Sequence, residues 1–109
     1  MTEPSIVEYD KLVRDRIPAI IEANGDRPVV HVTDDEEYER RLLEKVYEET
    51  EEFRESGDVD ELADVLEVVF AIGEHHGHSE RDLQASRERK ARRRGRFEDR
   101  IVLEYVESS

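Results

Sequence analysis

Hydrophobic positions along this chain recur mostly at helical spacing, and glycines divide the pattern into four stretches. Leu12, Val13, Ile17, Ile20 and Ile21 line one side of a first helix, which Gly25 after Asn24 brings to an end. Pro18 lies inside that pattern, so the helix is kinked there or begins near Arg16. Thr33 with Glu36 has the form of a capping box and opens a long helix to about Ser56, packing through Leu42, Leu43, Val46, Thr50 and Phe53. Gly57 breaks it. Asp58 or Asp60 is placed to cap a third helix, which runs to about His76 before Gly77. Ser79 caps a fourth through an arginine-rich stretch that ends near Gly95. Residues 29–32 and 101–106 are short and β-prone, and are placed to pair as a two-stranded ribbon. The expected fold is an all-α helical bundle with that one minor β element.

The third helix sets the expected architecture. At 100° per residue, Val59, Leu62, Ala63, Leu66, Val69 and Phe70 share one face, with Val65, Val68, Ala71 and Ile72 on another. A helix apolar nearly all round belongs in the centre of a bundle. The chain has 109 residues, enough for one domain spanning 1–109 and too few to cover both faces. The second face, the one with Val65 and Ile72, is therefore expected to meet another subunit, making a homo-oligomer of two or more copies.

Composition narrows the function classes. Charged residues make up 43% of the chain and hydrophobic ones 36%, so an isolated copy would be marginally stable. No run approaches the ~18 apolar residues of a membrane span, and Met1-Thr2-Glu3-Pro4 does not open a signal peptide. The absence of cysteine excludes disulfides, thiolate metal sites and cysteine nucleophiles. A cytoplasmic protein is expected. The net charge is −13, and the 17 basic residues include only three lysines, a surface suited to a salt-rich, halophilic cytoplasm. Eight basic side chains against Glu88, Glu98 and Asp99 make residues 87–100 +5, which leaves −18 for the rest. A nucleic-acid duplex would be repelled by most of this surface. A small polyphosphate held locally would not be.

The candidate chemistry is acidic. Glu61 and Asp64 lie ~60° apart in the stripe of Val65, Val68 and Ile72, where unpaired carboxylates are costly. Glu49 and Glu52 lie one turn apart on the preceding helix, beside its packing stripe. If the two helices are antiparallel across Gly57, these four carboxylates meet, and a hard divalent cation would relieve their repulsion. On spacing alone, a solvated acidic face also accounts for Glu48, Glu49 and Glu52. Glu61 equally suits the third residue of a capping box begun by Asp58. The basic tract reads either as a solvated face or as a phosphate-binding set of Lys90, Arg93, Arg94 and Arg96 near Gly95. Lys11, Arg14 and Arg16 form a second basic cluster. His75, His76 and His78, at a helix end, are expected to be exposed rather than metal-bound.

Several motifs resemble one family. Glu48-Glu49-Thr50-Glu51-Glu52, followed by Asp60-Glu61-Leu62-Ala63-Asp64-Val65-Leu66-Glu67, resembles the paired acidic motifs of MazG-like nucleotide pyrophosphohydrolases. The stretch Tyr9 to Pro18, reading YDKLVRDRIP, looks like the opening of the small phosphoribosyl-ATP pyrophosphohydrolase-like subgroup. Asp34-Asp35-Glu36-Glu37-Tyr38 and Lys90 with Arg94-Gly95-Arg96-Phe97 fit the same pattern, so the likeness runs over residues 9–103. The resemblance implies an all-α fold and Mg²⁺-dependent cleavage between the α and β phosphates of a nucleotide, with Mn²⁺ as an alternative ion. By motif position Glu49, Glu52, Glu61 and Asp64 would hold the metal and Glu48 would assist. The two basic clusters, Lys11, Arg14 and Arg16 with Lys90, Arg93, Arg94 and Arg96, are the candidate substrate-binding residues. Eight residues separate Glu52 from Glu61, fewer than the family usually has, so the turn must be tight. The rival expectation is a non-catalytic acidic helical interaction protein adapted to high salt.

Overall fold

The structure, a computed structural model, describes residue 3 and residues 5–108. Met1, Thr2 and Pro4, part of the stretch read above against a signal peptide, lie outside the described residues. Four helices follow one another: α1 (Ile17–Ala23), α2 (Asp35–Ser56), α3 (Asp60–His75) and α4 (Glu80–Arg94). No helix among the described residues is long and apolar enough to cross a membrane.

Local chemistry explains the boundaries. α1 begins after Arg16 with Pro18 in its first turn, where the missing N–H costs nothing. Leu12 and Val13 stay outside it. The cap of α2 is Asp34 rather than Thr33: its carboxylate accepts from the Glu37 amide at 2.8 Å. Gly57 closes α2 in the left-handed region, φ 68°, and its N–H donates to the Phe53 carbonyl. Neither Asp58 nor Asp60 caps α3. The preceding residue is Val59, and Asp58 instead accepts from the Asp60 amide at 3.0 Å in the turn. Ser79 caps α4 in a reciprocal box with Asp82.

α2 and α3 form an antiparallel hairpin across the turn at Gly57, and its seam is the core. On α2 the seam is Leu42, Val46, Glu49 and Phe53, with Leu42 only 2% exposed. On α3 it is Glu61, Val65, Val68, Ile72 and His75, with Val68 buried. Alternating steps of three and four place each set on one side of its helix. The acid-bearing face of α3 is thus the one covered within the chain, the reverse of the expectation that it would meet another subunit. The face left bare is the other one, Val59, Leu62, Leu66 and Val69. Leu43 and Thr50 also turn outward. Thr50 instead donates to the Val46 carbonyl at 2.6 Å.

α4 meets α3 where the chain turns between them. A Cβ on Gly73 would come within 2.7 Å of Leu83 Cδ1, so that approach depends on glycine. α4 does not pack on α2, and α1 packs on no other helix. The expected β ribbon is absent. Residues 29–32 lie before α2 and 101–106 beyond α4, and nothing brings the two segments side by side.

The single copy is drawn out. Its radius of gyration is 19.4 Å and its longest extent 76 Å, against about 13 Å of gyration for a compact domain this size. It exposes 10401 Å², whereas a folded monomer of this mass exposes roughly 6,300 Å².

Candidate functional site

The hairpin register brings carboxylates from both helices to one place near the turn. Glu49 lies in the packing seam itself, opposite the first turn of α3, and is 8% exposed. Oxygens of Glu49, Glu61 and Asp64 lie within 4.8 Å of one another, as do those of Glu48, Glu49 and Glu52. Glu49 is common to both groups, so five acids share one centre. Burial pushes the Glu49 carboxyl above its ordinary range despite the Lys45 ammonium beside it, and Glu52 and Asp64 push the same way. Burial also raises Glu61, reinforced by Glu52 and by Asp64, which lies within hydrogen-bonding reach. Glu48 moves the other way: burial would raise it, but hydrogen bonds from Lys11 and Lys45 outweigh that.

Three cations face the cluster. Lys11 donates to Glu48 at 3.1 Å, and Arg14 donates to Asp64 Oδ1 at 2.6 Å. Lys45 lies 3.2 Å from Glu48 and 3.3 Å from Glu49. Arg41 fastens the same N-terminal segment, donating to the Asp10 carbonyl and carboxylate at 2.7 and 2.9 Å. Residues 10–14 are therefore held over the hairpin although they belong to none of its helices.

Of the residues singled out in the sequence, Glu48, Glu49, Glu52, Glu61, Asp64, Lys11 and Arg14 come together. Arg16 makes no ion pair here among the described residues. Lys90, Arg93 and Arg94 lie on α4 and pair with none of these acids, while Arg96 bonds Glu88 at 3.1 Å. Sequence reasoning missed Lys45, whose signal was its spacing three and four residues before Glu48 and Glu49. It also placed His75 on the surface. His75 is half-buried, 3.2 Å from Glu39, and His76 hydrogen-bonds the same carboxylate at 2.9 Å, tying the far end of the hairpin. Two clefts among the described residues lie elsewhere, in the loop from Arg94 to Ile101 and around Asp34, Glu36, Glu37 and Arg40. In a single copy, the acid cluster faces open solvent on its outer side.

Comparison with known families finds no family model that matches this chain, and no solved structure matches it. A curated protein of Mycolicibacterium smegmatis, described as uncharacterized, is 37% identical to it over 70 residues. That stretch is 64% of this chain and 64% of the relative, so the chain spans less than two thirds of the relative's length.

Proposed function

We propose that this protein is a divalent-metal-dependent nucleotide pyrophosphohydrolase of the MazG-like kind, working as a homo-oligomer. The observation that carries the reading is Glu49: a carboxylate set in an apolar helix seam with four further acids around it. Solubility gives no reason to bury an acid there. The donor set also suits a hard cation. Five carboxylates against Lys11, Arg14 and Lys45 leave a charge of −2 when all are ionised, which one divalent ion balances. All the donors are oxygens, the preference of Mg²⁺ and Mn²⁺. Glu49, Glu52, Glu61 and Asp64 would hold the ion, with Glu48 beside them. When bound, it would neutralise phosphate charge and lower the pKa of a coordinated water.

In the proposed reaction, water oxygen adds to a phosphorus flanking the α–β bridge, the bond from that phosphorus to the bridging oxygen breaks, and the water's proton passes to solvent. A nucleoside triphosphate then gives a monophosphate and pyrophosphate. Glu48, which shares Lys45 with Glu49, would help orient that water. Lys11 and Arg14, already at the cluster, suit the anionic phosphates once a cation takes over the carboxylates. The test is a screen of nucleoside triphosphates and phosphoribosyl-ATP with millimolar Mg²⁺ or Mn²⁺, scored for pyrophosphate. Metal-dependent release from at least one substrate, lost in Glu49→Gln, is expected; silence across the whole panel would reject the activity.

One observation favours the rival reading of a non-catalytic interaction protein. Lys11, Arg14 and Lys45 already offset much of the cluster's charge with no ion required. On that reading Mg²⁺ at fixed ionic strength leaves the melting temperature unchanged, whereas a metal site raises it.

A further inference from the structure

The C-terminal segment beyond α4 has apolar side chains and no surface of its own chain to rest on. Ile101, Val102, Leu103, Tyr105 and Val106 all lie in this stretch and are 74–81% exposed. A matching bare surface lies on the hairpin. Leu43 and Tyr47 each follow a seam residue of α2 by one position, and Leu62, Leu66 and Val69 do the same on α3. In an antiparallel pair of right-handed helices, such positions turn to the same side, so they form one apolar strip. All five are exposed.

We infer that residues 97–107 are an exchange arm, which docks on this strip of a second copy of the chain while that copy's arm docks in return. Three observations select this occupant. The arm leaves the C-terminal end of α4, which packs on α3, with Leu83 against Gly73, and does not pack on α2. The longest extent, 76 Å, is more than twice the ~33 Å length of α2. The excess exposed area is roughly 4,000 Å², several times the ~800 Å² per partner of a stable interface. The inference deepens the homo-oligomer reading but needs neither metal nor turnover, so it stands or falls apart from the proposed activity.

Because the chain has no cysteine, the contact can be trapped cleanly. A tagged Leu103→Cys chain is mixed with an untagged Leu66→Cys chain, allowed to exchange subunits and oxidised gently. A mixed disulfide between tagged and untagged chains is the expected main product. The doubly substituted chain at high dilution should likewise link between copies. An internal disulfide in a monomer would mean that the arm folds onto its own hairpin and would overturn the inference. So would a dimeric protein with no mixed cross-link whose arm is cut by trypsin after Arg100 as fast as a free peptide, although that result leaves the homo-oligomer reading intact. In the otherwise native chain, Leu103→Glu should shift sedimentation toward monomer while helical content is kept.

Discussion

At the residue scale, the cluster is defined by how differently its carboxylates are placed. Glu49 and Glu61 are held above the ordinary range by burial and by Glu52 and Asp64 beside them, while Glu48 is held below it by two ammonium groups. A second acid shows the opposite balance far from the site. Glu37 accepts from His31 at 2.8 Å and from Arg41 at 3.2 Å, and these bonds keep its carboxyl below the usual range. A depressed folded pKa means its stabilisation is present above the unfolded value, about 4.3, and is lost as pH falls through the folded value. Glu37→Gln should therefore lower the melting temperature at neutral pH and flatten its decline on acidification below roughly pH 4.3. An unchanged acid limb would mean that the pair with His31 does not contribute. The acids of the site were legible in the sequence because an Asp and a Glu on an apolar stripe call for a partner. Lys45 was not, because a lysine one turn from two glutamates resembles any surface ion pair. Its role appears only once the seam buries Glu49.

At the element scale, the breaks were legible and the caps less so. Gly57, Gly77 and Gly95 mark helix ends because left-handed or extended turns need a residue without a Cβ. Thr33 and Asp34 are both good caps on propensity, and only the backbone geometry chooses Asp34. The β ribbon failed because pairing depends on where the intervening helices deliver the two segments, which a local pattern of valines does not encode. The inward face of α3 was misread for a related reason. Both of its faces carry the three-and-four spacing, and the choice belongs to the partner stripe on α2. Two substitutions measure the local devices separately. Ser79→Ala removes one side of the α4 box and should cost about 1 kcal/mol. Gly57→Ala meets no neighbour within 4 Å, so its cost should be the backbone strain alone, roughly 1–2 kcal/mol. Urea unfolding of each variant is the check. A Gly57→Ala variant as stable as the parent would show that the turn does not need its left-handed backbone.

At the scale of the whole molecule, one copy is a hairpin with two appendages and a bare apolar side. The seven basic residues implicated at the outset fall into two sets. Lys11 and Arg14 lie on the acid cluster, whereas Arg16, Lys90, Arg93, Arg94 and Arg96 pair with none of its five acids among the described residues. The central claim is that Glu49, Glu52, Glu61 and Asp64 form a seat for a divalent cation, and calorimetric Mg²⁺ titration tests it most directly. Glu51, exposed on the same helix and paired among the described residues only with Arg54 at 3.7 Å, supplies the control. The parent and Glu51→Gln should bind Mg²⁺ alike. Glu49→Gln and Asp64→Asn should lose affinity at least about tenfold, roughly 1.4 kcal/mol, with Glu49→Gln folding at least as stably as the parent without metal. Equal Mg²⁺ affinity in Asp64→Asn and the parent would contradict the account.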